Sequence, residues 1–171
     1  VCAELNIFDG GSTGKIMLQI AEKARSKGNV VYTVSNIGVI PVKSLKLRNN
    51  KYHLYFNGIV PFALHYKIGG FLGLNGLLSI LPTIRVIYYL KKWRVELIHL
   101  HNLHQFCLNL PILFWFIKKH RIPVIWTLHD CWSFTGRCPY FDMTKCDKWK
   151  TGCHSCPYPK ATYPHTYIDT S

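Results

Sequence analysis

The sequence predicts an α/β fold in which a parallel sheet carries helices on both faces and is followed by a Cys-rich loop segment. Three observations predict it. The chain opens as strand, Gly-rich turn, helix, strand. Apolar and β-branched runs then keep alternating with helical stretches as far as Leu128. At Cys131 the composition turns abruptly to Cys, Trp and Pro. The expected organisation is therefore one domain over residues 1–130, with 131–171 a Cys-rich insertion and the truncated end of the same domain. The chain opens on Val1 and stops at Ser171 without a closing signal, so it reads as a fragment at both ends.

Each element has its own local reason. Val1 to Phe8 is mostly apolar and suits a buried strand. Asp9-Gly10-Gly11-Ser12 breaks it, and Ser12 or Thr13 can cap a following helix. Met17, Ile20, Ala21 and Ala24 then recur at helical spacing until Gly28-Asn29. Val30 to Val34 is a second strand, which completes a βαβ unit with an expected right-handed crossover. A basic loop (Lys43, Lys46, Arg48, Lys51) leads to a short strand at 52–56. Thr83 to Trp93 reads as a helix with a cationic end, which suits the negative pole of the helix dipole. Val95 to Leu100 is a strand running into His101-Asn102-Leu103-His104. Phe106 to Ile117 reads as a buried helix ended by Lys118-Lys119-His120, where Pro111 predicts a kink or a late start. Pro123 to Leu128 is expected as another buried strand.

Composition narrows the function classes. The 171 residues are 49% hydrophobic, enough to bury a core and to exclude a disordered chain. The formal net charge is +13, and no acid occurs between Glu22 and Glu96, a span with twelve Lys or Arg. Such a field attracts phosphorylated ligands, anionic lipid or nucleic acid. No zinc-finger, homeodomain or RNA-binding fingerprint accompanies it, so nucleic acid is not an expected partner. Ile68 to Ile84 is uncharged, short for a membrane span, and broken by Gly69, Gly70, Gly73, Gly76 and Pro82. A buried or membrane-touching helix is expected there. Five of the seven cysteines lie between Cys131 and Cys156. That clustering points to a reducing cytosol and a local metal site rather than a secreted disulfide scaffold.

Ligands of open parallel sheets bind beyond the carboxyl ends of the strands. Three of those ends hold the chemistry-bearing residues. The first, Gly10-Gly11-Ser12-Thr13-Gly14, offers free N–H groups to an anion. It is not a P-loop, because Asp9 stands where the first Gly belongs and Ile16 replaces the Ser or Thr. It also reads as a ligand-free tight turn. The second end carries His101 and His104 around Asn102; the third carries His129 beside Asp130. A histidine leaving a strand into a cleft can donate a hydrogen bond or move a proton. The bland alternatives are surface histidines and a loop-capping Asp. Finally, Cys138, Cys146, Cys153 and Cys156 could complete a tetrahedral structural zinc site. Reduced, non-ligating thiols or one disulfide are the alternatives.

These motifs together resemble the N-terminal half of a family 4 glycosyltransferase of the two-domain GT-B type. The likeness is to bacterial enzymes of capsule, colanic-acid and exopolysaccharide assembly. It rests on the Gly10–Gly14 turn, the His99–His104 strand end, the run from Trp126 through His129-Asp130-Cys131 to Cys138, and the tail Lys148–Pro157. The resemblance implies a Rossmann-like acceptor-side domain whose partner domain, absent here, binds the nucleotide sugar, so a glycosyltransferase fragment inactive by itself is expected. It further implies the Gly10, Gly11, Ser12, Thr13 and Gly14 turn against the donor diphosphate, and His129 at the transferred sugar. His101, Asn102, His104 and Asp130 fall on the acceptor side. Retention of configuration and no catalytic metal are also implied. The expected partners are a UDP- or GDP-linked sugar, a glycan or lipid-linked acceptor and an anionic membrane surface. The expected location is cytoplasmic, peripheral on the inner face of the plasma membrane. The rivals are a non-catalytic phosphate- or nucleotide-binding module and a zinc-organised interaction domain.

Overall fold

The computed structural model describes residues 1–36, 47, 50–56, 59–74, 76–104, 107–135, 138–157 and 167–168, with backbone alone at 59–62. Among the described residues the strands are β1 (Cys2–Phe8), β2 (Val31–Asn36), β3 (His53–Tyr55), β4 (Leu97–Leu100) and β5 (Val124–Trp126). They form one parallel sheet in the order β3-β2-β1-β4-β5. Among the described residues the α-helices are α1 (Gly11–Ser26), α2 (Ile59–Leu72), α3 (Ile80–Lys92) and α4 (Leu110–His120). Two short 3₁₀ turns, Phe141–Thr144 and Lys148–Lys150, lie in the Cys-rich segment. The α/β, Rossmann-like class expected from the sequence is the class observed.

Alternation along the strands divides the sheet into two chemically different faces. Ala3, Leu5 and Ile7 of β1 join Val34, Ile98 and Leu100 in the apolar core, with Val86 and Leu90 of α3 and Leu113, Phe116 and Ile117 of α4. The other face is polar: Glu4 sits in register with Thr33 and His99, and Asn6 follows it. Glu4, Asn6, Thr33, Ser35, His99 and His101 are all buried. Helix α1 packs on β1 and β2, and Asn6 Nδ2 donates to Thr13 Oγ1 at 3.2 Å, so this polar layer lies on the α1 side. β1 is buried without interruption from Ala3 to Ile7 because both of its faces are covered.

Several expectations change. Helix α1 begins at Gly11, with Gly10 as N-cap and no side-chain cap, so neither Ser12 nor Thr13 caps it. Thr13 is instead held by Asn6. The uncharged stretch at 68–84 is not one helix; it ends α2, turns, and starts α3. No helix among the described residues is long and apolar enough to cross a membrane. The late start predicted by Pro111 is observed: α4 begins at Leu110, and Asn109 caps it by accepting from Ile112 N–H at 3.1 Å. β5 was expected to be buried, yet Val124 and Ile125 are exposed because β5 is an edge strand of the described sheet. Of the basic loop, Lys43, Lys46 and Arg48 lie outside the described residues.

The polar face has a stability consequence. His53 Nδ1 lies 2.6 Å from Thr33 Oγ1 and its Nε2 lies 3.1 Å from Ser35 Oγ. Burial pushes its pKa from 6.5 down to about 4. The folded chain therefore keeps His53 neutral where the unfolded chain already binds a proton. This stabilisation is complete above pH 6.5 and is lost as pH falls toward 4, on the order of 3 kcal/mol in all. Urea midpoints at pH 7.5 and 4.5 should differ more for the wild type than for His53→Gln. Equal differences would remove His53 from the acid response.

Candidate functional site

The strand order brings the carboxyl ends of β1, β4 and β5 side by side. All three loops singled out in the sequence therefore meet at one edge. A small open pocket there is lined by His101, Asn102, Leu103, His104, Trp126, Leu128, His129, Asp130, Trp132 and Ser133. The Gly10–Gly14 turn does not line that pocket but is tied to it through Asn6. Asn6 Oδ1 accepts from Asn102 N–H at 3.1 Å, while its Nδ2 donates to Phe8 O at 2.9 Å and to Thr13 Oγ1. One buried side chain thus links the turn after β1 to the loop after β4.

The turn itself is built by backbone constraints. Gly11 has φ +70°, a conformation that glycine takes without penalty. A Cβ on Gly14 would stand 2.5 Å from the carbonyl carbon of Asp9 and 2.6 Å from Phe8 O. Glycine is what lets α1 leave so close to the end of β1. Asp9, mostly buried, accepts a short hydrogen bond from the Tyr55 hydroxyl. Burial and that bond push the Tyr55 phenol up. The first turn of α1 carries no acid, so its N–H groups keep their positive field toward an anion.

The histidines form a network that reaches into the sheet. His129 Nε2 lies 2.9 Å from His101 Nδ1, and His101 Nε2 lies 2.9 Å from Glu4 Oε2. His99 Nδ1 meets the same Glu4 oxygen at 2.9 Å, and its Nε2 lies 2.8 Å from Thr127 Oγ1. His101 is fully buried, whereas His129 is half-exposed at the pocket. His101 thus lies beneath His129 rather than open to a ligand. Burial, and then the neighbouring His101, hold the His129 pKa below its ordinary value, so the ring is neutral at pH 7. Trp126 Nε1 donates to His101 O at 2.9 Å and fixes the start of the loop after β4.

His104 and Asp130 make a second pair, with Nε2 to Oδ2 at 3.0 Å. The other carboxylate oxygen accepts from Trp132 N–H at 3.0 Å. Burial opposes the charge of Asp130, but these hydrogen bonds outweigh it and hold the carboxyl below its usual range. Asp130 therefore orients His104 and not the adjacent His129.

The Cys-rich segment is organised by aromatic rings. Trp149 packs on Phe141 at 4.8 Å and on Phe134 at 5.6 Å between centroids. None of the seven cysteines is in a disulfide. Among the described residues, Glu4, His99 and His101 are the one His/Cys/Asp/Glu group whose donor atoms all lie within 4.8 Å. Cys138, Cys146, Cys153 and Cys156 are not part of that group. The Glu4 group is close enough for a cation, yet the four ring nitrogens of His99 and His101 all sit at hydrogen-bond distance from a partner.

Sequence reasoning found His101, His104, His129 and Asp130, which the structure brings to one edge. It missed Glu4, Asn6, His99 and Thr127. The available signal was an acid and an amide at alternate positions of an otherwise apolar strand, matched by His99 and His101 at the same spacing.

No family model matches this chain, and no solved structure matches it. A 77-residue stretch is 44% identical to a protein of Escherichia coli (strain K12) named as a colanic acid biosynthesis glycosyl transferase, WcaC. The match covers 42% of this chain and 18% of that protein, so the chain spans only a small part of the relative's length.

Proposed function

We propose that this chain is the acceptor-side half of a retaining glycosyltransferase of the GT-B, family 4 type. The reaction would move a sugar from a UDP- or GDP-linked donor to a lipid-linked glycan in cell-surface polysaccharide assembly. One observation carries the reading: a neutral, half-exposed histidine at the carboxyl edge of the sheet, tied through buried side chains to a glycine turn that opens a helix. The likeness to a named glycosyl transferase over part of the chain supports it.

Each group then has a physical task. The N–H groups at the start of α1 face the donor diphosphate and stabilise the charge that grows on it as the glycosidic bond breaks. His129 meets the transferred sugar. Asn102 and the His104–Asp130 pair orient the acceptor. Positioning and charge stabilisation suffice for these roles, and no step requires a metal ion. The test is nucleotide release by the intact protein that contains both halves, across a panel of UDP- and GDP-sugars, with membrane extract supplying acceptor. Release that depends on one donor supports the reading. A phosphate-binding module would bind a donor yet release no nucleotide with any acceptor.

The reading includes a membrane surface. Leu64, Ile68 and Phe71 of α2 and Ile80, Leu81, Ile84 and Tyr88 of α3 are exposed, with Lys67 and Arg85 exposed among them. Apolar side chains beside cations suit the headgroup boundary of an anionic bilayer. The chain should float with anionic vesicles at low salt and less at high salt. Absence from the lipid fraction at both salts would remove the membrane from the proposal.

A further inference from the structure

We infer that Glu4, acting through His101, dictates which nitrogen of His129 carries the proton, so that His129 presents Nδ1 to the pocket as a hydrogen-bond acceptor. This rests on the reading of His129 as the residue that meets the transferred sugar. An ionised carboxylate only accepts hydrogen bonds. Glu4 Oε2 faces His99 Nδ1 and His101 Nε2, each at 2.9 Å, so both nitrogens donate to it. A neutral imidazole has one proton, and His101 spends it on Glu4. His101 Nδ1 is then an acceptor, and His129 Nε2, 2.9 Å away, is the donor. That leaves Nδ1 of His129 bare. On the other branch, His99 Nε2 accepts from the Thr127 hydroxyl at 2.8 Å, so every proton in the network has a place.

Register makes the arrangement stiff. Glu4 and His99 are paired across β1 and β4, and His101 follows two residues later on the same face. Glu4 is 2% exposed and His101 0% exposed, so neither can turn to water. Four ionisable groups surround the rings: Glu4, His99 and Cys2 within the sheet and Asp130 beyond β5. The Cys2 thiol, pushed up to about 11 by burial and then by Glu4, stays protonated and adds no charge.

The chemical consequence is selectivity. A bare Nδ1 takes a hydrogen bond from a sugar hydroxyl and has nothing to give a phosphate oxygen. The ring and the glycine turn therefore recognise different parts of one donor. Glu4 and His101 are positioning residues in this scheme, since both are buried from solvent and act on the sugar through His129.

The test is nitrogen NMR of the full chain with labelled histidine. A proton on Nε2 of His129 is expected, with a coupling across the hydrogen bond to Nδ1 of His101. His101→Phe should abolish that coupling and let the ring proton exchange with water. His101→Asn keeps an acceptor oxygen near the Nδ1 position and should restore protection of the ring proton. Nucleotide release should fall about 10- to 100-fold in the Phe variant, the range seen when a residue orienting a ligand side chain is lost, and recover in part in the Asn variant. A proton on Nδ1 of His129 in the wild type, or a doubly protonated His101, overturns the inference. An intact NMR signature with no sugar transfer by the intact two-half protein supports the proton arrangement and overturns the transferase reading instead.

Discussion

His129→Ala is expected to lower nucleotide release about 10²-fold, the scale on which loss of substrate positioning slows a reaction. The reason is position. His129 is the solvent-facing end of a chain of buried polar groups that runs through His101 to Glu4. The variant should remain folded, because the side chain belongs to a loop beyond β5 and not to the core. It does leave His101 Nδ1 without its partner, at a cost of about 1–3 kcal/mol. Thermal unfolding beside the activity assay separates the two effects. Release within twofold of wild type, from a folded variant, would remove His129 from the reaction.

Gly14→Ala is expected to be the most damaging single-methyl change in the turn. Its Cβ would lie 2.5, 2.6 and 2.7 Å from three backbone atoms of Phe8 and Asp9. Backbone cannot rotate aside as a side chain can, so the first turn of α1 must move off the end of β1. Overpacking of this kind costs typically about 1–3 kcal/mol, and a displacement near 1 Å in a positioning element can cost about 10²-fold in rate. Two neighbours calibrate the effect. Gly10 has φ −99° and open space around its Cβ, so Gly10→Ala should unfold at nearly the wild-type temperature. Gly11 has open space but φ +70°, so Gly11→Ala should fall between them. Equal unfolding temperatures for the three variants would mean that the close approach of α1 to β1 is not what glycine supplies here.

The candidate site was partly legible before the fold was known. His101, His104, His129 and Asp130 stood out because they follow apolar runs, and the carboxyl ends of parallel strands are where ligands bind. The pairing of Asp130 with His104 was not legible, since adjacency in sequence favoured His129. Glu4 and Asn6 were passed over because a strand of their composition satisfies an apolar pattern even with two polar members. Their meaning appears only when β1 is laid between β2 and β4. In the Cys-rich segment thiol spacing suggested a metal centre, and the structure adds what spacing did not indicate, a cluster of the Phe134, Phe141 and Trp149 rings.

Local sequence determined the class of the fold by itself. Alternating strand and helix patterns leave few solutions besides a parallel sheet, because each parallel crossover needs a helix to return the chain. It also determined the glycine turn and the late start of α4, since φ preferences and capping act within a few residues. Tertiary structure alone decided that β5 pairs with β4 and that Glu4, 97 residues from His101, lies 2.9 Å from its ring. Strand order and register set such contacts. They depend on which faces bury together over the whole chain, and no window of neighbouring residues contains that information.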